Sequence, residues 1–213
     1  MSLKKYLTVN LLTYCFIFFA PLLTLPLKFN PQQVIMFSAA TYVIGAGIMI
    51  YLSPKLTETP VIERGKNLPF KQVIKIGLIG IILAFFSQTV AGMVEQLFIG
   101  ATPESENTEN IMQMIKMSPI FILTVSIAGP IMEEFIFRRA ITGVLTKYIT
   151  PLLAACFSSF LFAIAHADGH ILVYFAMGMA LYYLYQLTGN IWTSIITHCC
   201  MNTLVILIQL AII

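Results

Sequence analysis

Seven apolar segments, separated by short polar stretches, occupy most of the chain. Each is close to the roughly 20 residues that an α-helix needs to cross the hydrocarbon core of a bilayer. We therefore predict an all-α fold, a polytopic transmembrane helix bundle with about seven spanning helices. The predicted segments are Leu7–Leu25, Val34–Leu52, Val73–Ile99, Pro119–Phe137, Leu152–Ala167, Ile171–Leu187 and Ile191–Ile212.

The composition favours an integral membrane protein. Of 213 residues, 59% are hydrophobic and 10% are charged, and the mean hydropathy is +0.90, whereas soluble domains carry about 25% charged residues. The proline-containing stretch Ser53–Phe70 is interpreted as a connector, and no long internal repeat is visible. A single integral membrane domain over residues 1–213 is predicted.

Charge and cysteine usage exclude two classes of function. The net charge of +3 is spread along the chain, whereas nucleic-acid binders concentrate Lys and Arg on one face, so no polynucleotide partner is predicted. The partner that the composition implies is the lipid bilayer. The four cysteines predict neither a disulfide framework nor a zinc ribbon, because their spacing is not that of metal ligands. They are Cys15, Cys156, Cys199 and Cys200.

The distribution of basic residues predicts the orientation, because cytoplasmic loops of membrane proteins are enriched in Lys and Arg. Residues that should be cytoplasmic are Lys4, Lys5, Lys55, Arg64, Lys66, Lys71, Arg138, Arg139 and Lys147. The stretch Gly100–Ser118, with Glu104, Glu106 and Glu109 against Lys116, suits the outer face. We expect a cytoplasmic N-terminus in the plasma membrane of a bacterial cell. The N-terminal charge order also resembles a signal peptide, but the long run without a small-residue cleavage site favours a retained helix.

Candidate chemistry begins with Glu133, Glu134 and Arg138, which lie in an otherwise apolar segment. An acid or base at the centre of a spanning helix costs about 2.5–3.5 kcal/mol, so such residues are candidates for function. Glu134 and Arg138 are four residues apart and can form an ion pair along one helix turn, whereas Glu133 points about 100° away. A desolvated carboxylate can act as a general base toward water. The alternative is that these charges simply end a helix at the cytoplasmic surface.

Two further polar pairs follow, each spaced by four residues and therefore on one helix face. Phe162 precedes His166, and His198 precedes Asn202. A histidine in a membrane helix can also serve only as a hydrogen-bonding contact between helices. Together, however, a carboxylate, two imidazoles and an amide can activate a water molecule and stabilise a tetrahedral oxyanion.

These three motifs resemble those of one protein family. The family is the CPBP family, the CAAX protease and bacteriocin-processing family, also called Abi. The motifs that resemble it are Glu133-Glu134-x-x-x-Arg138, Phe162-x-x-x-His166 and His198-x-x-x-Asn202. The resemblance covers residues 119–213. It implies an intramembrane endopeptidase, related to type II CAAX prenyl proteases, which acts on a membrane-associated protein or peptide.

The resemblance also implies roles for the individual residues. Glu133 and His166 would hold and activate the water, and His198 and Asn202 would stabilise the oxyanion. Glu134, Arg138 and Phe162 would support the site. No cofactor is expected, although Glu133, His166 and His198 could alternatively bind Zn²⁺ with one position left for water. His170 also lies four residues from His166, but Asp168-Gly169 between them is typical of a turn.

The predicted helix boundaries conflict with such a site. They place Glu133 and His198 in the cytoplasmic half of the bundle and His166 near its outer end, so at least one boundary must be wrong. A break at Gly129-Pro130, with a helix that continues through Tyr148, would bring the motifs together. Two other functions stay open, a non-enzymatic bacteriocin-immunity or scaffold protein and a transporter. The intact motif set disfavours the first and the lack of repeats disfavours the second.

Overall fold

The computed structural model describes residues 1–100 and 105–212. These residues form eight helices and no strand, which confirms the predicted all-α helix bundle. The helices are α1 Leu3–Phe19, α2 Pro31–Leu52, α3 Phe70–Ile99, α4 Glu106–Met117, α5 121–145, α6 Pro151–His166, α7 Ile171–Thr188 and α8 Ile191–Ile212. Short 3₁₀ segments follow α1, at Ala20–Leu27, and α2, at Ser53–Lys55.

Among the described residues, five helical stretches are long and apolar enough to cross a membrane. They are Leu3–Leu27, Pro31–Lys55, Phe70–Phe98, Ile171–Thr188 and Ile191–Ile212. The other two predicted spans are also helical, but α6 has only 16 residues and α5 carries the charged Glu133–Arg138 motif. The short α6 begins with an ordinary cap, in which the Thr150 side chain accepts a hydrogen bond from the Leu153 amide at 3.4 Å.

Helix α5 alternates between α-helical and π-helical backbone. Its π-helical segments are Thr124–Ala128 and Glu134–Ile141. The predicted break at Gly129-Pro130 is wrong, because Gly129 keeps helical dihedral angles (φ −57°, ψ −59°) and the helix continues to Leu145. Pro130 has no N–H to donate, and the π-helical turn just before it shifts the hydrogen-bond register without interrupting the helix.

The wide turns of α5 leave backbone carbonyls for side chains of other elements. The Phe137 carbonyl accepts hydrogen bonds from the Thr142 hydroxyl at 2.8 Å and from the Ser158 hydroxyl on α6 at 2.5 Å. Such π-helical turns occur frequently at functional sites. Here an α-helical segment ends at Glu133 and a π-helical segment begins at Glu134.

The stretch interpreted as an outer loop contains the 12-residue helix α4. Ser105 caps it by accepting a hydrogen bond from the Thr108 amide at 3.1 Å, and Glu106 and Glu109 lie in its first turn. Helix α4 buries Met112 and Ile115 against the bundle. Glu104, which was assigned to the same face, lies outside the described residues.

Several basic residues that were predicted to share one side meet at one end of the bundle. Arg138 is an exception, because it is 1% exposed and lies inside the bundle. Arg139 pairs with Glu63 at 2.8 Å, and Lys147 pairs with Glu58 at 2.5 Å. The Lys66 ammonium donates a hydrogen bond to the Gln186 carbonyl at the end of α7. We call this region the basic end. It comprises the start of α1, the connector 53–69 and the ends of α5 and α7.

Helices α6 and α7 form an antiparallel pair that approaches closely at Gly178. A Cβ atom there would lie 2.8 Å from the Ser159 Cβ and 3.2 Å from the Ser159 Cα, so a larger residue would push the helices apart. Gly178 thus allows the two helices to pack closely. This contact holds α6, which carries Phe162 and His166, against α7.

Candidate active site

Glu134, Arg138 and His198 form a buried cluster between α5 and α8. The Glu134 Oε2 atom lies 3.4 Å from the Arg138 Nε atom, which confirms the predicted ion pair along one helix turn. The Glu134 Oε1 atom lies 2.9 Å from His198 Nδ1. Glu134 is 0% exposed and Arg138 and His198 are each 1% exposed, so the carboxylate compensates charge in a place that water does not reach.

The Arg138 guanidinium has few other partners. Its three nitrogens make no hydrogen bond with the residues that the structure describes. The guanidinium carbon lies 4.2 Å from the centre of the Phe162 ring, within the range of a cation–π contact. Arg138 therefore depends on Glu134 for its counter-charge and on Phe162 for its packing surface.

Glu133 contacts the other nitrogen of the same histidine. Its Oε2 atom lies 3.7 Å from His198 Nε2, and its side chain is 19% exposed. The prediction that Glu133 stands outside the Glu134–Arg138 pair agrees with this arrangement. His198 thus lies between two consecutive glutamates, one buried at Nδ1 and one partly exposed at Nε2.

His166 ends α6 and reaches the same region through Phe162. Its Nδ1 atom lies 2.8 Å from the Phe162 carbonyl oxygen. The Phe162 ring lies 4.5 Å from the His166 ring and 5.9 Å from the His198 ring, centre to centre. The three motifs predicted from the sequence are therefore brought together, with Phe162 at their centre.

The conflict in depth is resolved mainly by the boundaries of α5. This helix ends at Leu145 rather than at Phe137, so Glu133 lies well inside the bundle, twelve residues from the end of the helix. His166 is the last residue of the short helix α6. The extension of α5 thus places the carboxylate away from the end of its helix, whereas the end of α6 is close to the predicted one.

Asn202 lies one helix turn beyond His198, and its amide nitrogen donates a hydrogen bond to the Val125 carbonyl at 3.0 Å. Val125 belongs to the first π-helical segment of α5. The contact fixes the orientation of the amide and uses one of its two N–H groups. The second N–H can donate to another acceptor.

A cavity of about 420 Å³ lies against these residues. His166, His198 and Asn202 line it. Glu133 does not, and its carboxylate lies 3.7 Å from Nε2 of His198. The remaining polar lining of the cavity consists of Gln88, Thr89, Gln96, Ser105, Asn107, Thr108, His170, Tyr174 and Gln209. Amides and hydroxyls, whose exposure to lipid would cost free energy, thus surround this cavity.

Two groups near the cavity were not identified from the sequence. Glu95 on α3, which is 2% exposed, accepts hydrogen bonds from the Leu172 and Val173 amides at 2.5 and 3.3 Å and lies 2.9 Å from His170 Nδ1. It therefore caps α7 from another helix. Tyr174 stacks on the His166 ring. Neither contact has a local sequence signal, because the partners belong to different elements.

The side chains around the site include possible metal ligands. Within residues 1–100 and 105–212, no three or more His, Cys, Asp or Glu side chains are grouped so that they could hold a metal ion. His166 Nδ1 faces its own helix carbonyl and His198 Nδ1 faces Glu134. These contacts leave Nε2 of each ring as the nitrogen that can face water, a substrate or a metal ion.

Comparisons with known proteins agree with the motifs. Residues 115–204, which contain all three motifs, match the family described as type II CAAX prenyl endopeptidase Rce1-like. The Bacillus subtilis (strain 168) protein YdiL, which is named as a membrane peptidase, is 34% identical over 221 residues, covering 98% of this chain and 91% of YdiL. The membrane-embedded CAAX protease MroQ of Staphylococcus aureus (strain USA300) is 32% identical over 186 residues, covering 84% of this chain and 75% of MroQ. No solved structure matches the chain.

Proposed function

Because this chain belongs to the Rce1-like family of type II CAAX prenyl endopeptidases and is a membrane peptidase, we propose that it hydrolyses peptide bonds with Glu133 as the general base. The substrate is a membrane-associated protein or peptide, and the co-substrate is water. His166 holds the water together with Glu133. His198 and Asn202 stabilise the oxyanion.

The observation that carries this proposal is the position of His198 between Glu133 and Glu134. A buried carboxylate that accepts the Nδ1–H of an imidazole fixes the ring and its tautomer. Glu134 is suited to that task, since Arg138 balances its charge 3.4 Å away. Nε2 is then the nitrogen presented to Glu133 and to the cavity.

The roles of the two glutamates differ because their surroundings differ. Glu134 is closed off from solvent and already engaged by His198 and Arg138, so it is a positioning residue. Glu133 is partly exposed and 3.7 Å from its nearest ionic partner. It is therefore the carboxylate that can accept a proton from water.

The reaction follows from these positions. Glu133 removes a proton from water, the hydroxide oxygen bonds to the carbonyl carbon, and the carbonyl oxygen becomes an oxyanion. His198 Nε2, when protonated, and the second N–H of Asn202 donate to that oxyanion. Glu133 then returns the proton to the leaving amine, the C–N bond breaks, and a carboxylic acid and an amine are released.

The orientation completes the proposal. We place the basic end of the bundle in the cytoplasm, because Lys and Arg are retained on that side during insertion. With seven crossings the C-terminus then lies outside. Alkaline phosphatase fused to the C-terminus should be active in cells and a green fluorescent protein fusion should be dark, and the reverse result would contradict the orientation.

The catalytic assignment is tested by Glu133→Gln, which removes the base while keeping the size of the side chain. Cells that contain the wild type should lose membrane peptides that cells with Glu133→Gln retain intact, since loss of a general base typically lowers the rate about 10²- to 10⁴-fold. Quantitative peptide mass spectrometry of membrane fractions measures the difference and identifies the cleavage site.

Glu109→Gln is the matched control, because it makes the same change at an exposed position of α4. It should leave cleavage unchanged. If Glu133→Gln is present in the membrane at the wild-type level and cleaves the same peptides at the same rate, the assignment of Glu133 as base is wrong.

A further inference from the structure

The His166 imidazole contacts two aromatic rings. Tyr174 stacks on one face, with ring centres 3.9 Å apart and an angle of 23° between the planes. Phe162 packs at 4.5 Å with an angle of 64°. Because Nδ1 faces the Phe162 carbonyl at 2.8 Å, these contacts determine where Nε2 points.

His166 needs such support because its helix ends there. The next residue, Ala167, has a φ of 51°, in the left-handed region, and closes α6. Rotation about the bond to an imidazole ring has a broad energy minimum. A stacked ring on a different helix is therefore the element that limits this rotation.

Tyr174 is itself fixed at its other end. Its hydroxyl donates a hydrogen bond to Asp168 Oδ2 at 2.9 Å and accepts one from the Asn107 amide at 3.3 Å. Asp168 also accepts a hydrogen bond from the Ser105 hydroxyl at 2.7 Å. The ring that covers His166 is thus anchored to α4 and to the turn between α6 and α7.

From this arrangement we infer that Tyr174 is a positioning residue, which sets the orientation of His166 toward the water in the cavity. The inference rests on the proposed function, in which His166 holds that water. Tyr174 does not exchange a proton with the substrate. Its contribution is geometric, and the ring matters more than the hydroxyl.

Nuclear magnetic resonance tests the contact without any substrate. The chain has three histidines, so ¹⁵N-histidine labelling gives three side-chain spin systems, which His170→Gln and His198→Gln assign. The Tyr174 ring current should shift the His166 ring protons upfield. Tyr174→Leu should remove that shift, Tyr174→Phe should keep it, and Tyr183→Leu, at a lipid-facing position of the same helix, should leave it unchanged.

Kinetics test the consequence for catalysis. The probe is an internally quenched fluorescent peptide that contains the cleavage site identified in the membrane fractions. Tyr174→Leu should lower kcat about 10- to 100-fold with KM nearly unchanged, since a misplacement of about 1 Å can cost 10²-fold. Tyr174→Phe should restore most of the turnover, and Tyr183→Leu should equal the wild type.

Two results would overturn the inference. One is an unchanged His166 resonance in Tyr174→Leu. The other is turnover in Tyr174→Leu equal to that in Tyr183→Leu, measured on folded protein from size-exclusion chromatography, while Glu133→Gln is inactive. An active Glu133→Gln protein would instead refute the proposed function, and the resonance of His166 would still decide whether Tyr174 fixes its ring.

Discussion

His198 and Glu134 are joined across 64 residues of sequence by a contact of 2.9 Å between Nδ1 and Oε1, inside a part of the bundle that is closed to solvent. The contact joins α5 to α8 and orients the imidazole toward Glu133. Adjacent glutamates of one motif therefore have different tasks. Glu134 pairs with the buried Arg138, whereas Glu133 is partly exposed and lies beside Nε2 of His198.

Replacing Glu134 with Gln should destabilise the protein. The amide can still accept the hydrogen bond from His198 but cannot balance the charge of Arg138, and breaking a buried ion pair costs about 3–5 kcal/mol. We expect a lower midpoint of thermal unfolding in detergent micelles. The double variant Glu134→Gln with Arg138→Met should recover part of the loss, because it removes the uncompensated charge.

Glu109→Gln again supplies the matched change at an exposed site, and it should unfold like the wild type. If Glu134→Gln unfolds at the same temperature as Glu109→Gln, the ion pair with Arg138 contributes nothing to folding. The separate tasks of the two glutamates would then need another explanation.

Glu95 should stabilise the start of α7. Its carboxylate accepts the Leu172 and Val173 amides, which have no partner within their own helix. Glu95→Ala should therefore lower stability by at least the roughly 1 kcal/mol typical of a lost cap. Glu95→Gln should have a smaller effect, because its amide oxygen can still accept one of these bonds.

Hydrogen exchange localises this effect. The amides of Leu172 and Val173 should exchange faster in Glu95→Ala than in the wild type, whereas amides in the middle of α8 should be unchanged. Equal exchange at Leu172 in the two proteins would show that the cap does not hold in solution.

Local patterns were sufficient for much of the fold and for part of the site. The apolar segments predicted the spanning helices, and the spacing of Glu134 and Arg138 predicted their ion pair, because residues four apart are neighbours on any helix. The amphipathic helix α4 was missed although Ser105 and its acidic first turn are a recognisable start signal. Its shortness and polarity led to its interpretation as a loop.

Other features had no signal in a single sequence. The π-helical turns of α5 depend on partners elsewhere, such as Ser158, which binds the Phe137 carbonyl, and Asn202, which binds the Val125 carbonyl. The contact between Glu95 and α7 spans 77 residues to Leu172. The need to bring the motifs together correctly predicted that α5 extends beyond Phe137, but not that it continues through Gly129-Pro130 without a break.

The proposed reaction needs no metal, so strong chelators should leave the activity of the purified protein intact. Elemental analysis should find well under one zinc per chain. Zinc present in stoichiometric amount, lost together with activity and effective when added back, would refute the glutamate-based mechanism. Inhibition by added zinc would not, because His166, His170 and His198 all line the cavity and imidazoles bind zinc readily.

The variant Asn202→Ala tests whether this residue has a catalytic role or only a structural one. If its second N–H donates to the oxyanion, Asn202→Ala should lower kcat about 10²- to 10³-fold, the usual loss for one such donor, with little change in KM. Asn110→Ala is the matched control, since it removes the same side chain at an exposed position of α4. It should retain wild-type turnover.

The same variant distinguishes an enzyme from an immunity or scaffold protein of the same fold. A scaffold acts through its outer surface, which the loss of one internal amide leaves unchanged. The cellular phenotype should therefore follow peptide cleavage across Glu133→Gln, His166→Ala, His198→Ala and Asn202→Ala, each compared at equal abundance in the membrane. A full phenotype in all four variants, without cleavage in any of them, would refute the enzymatic role and favour binding alone.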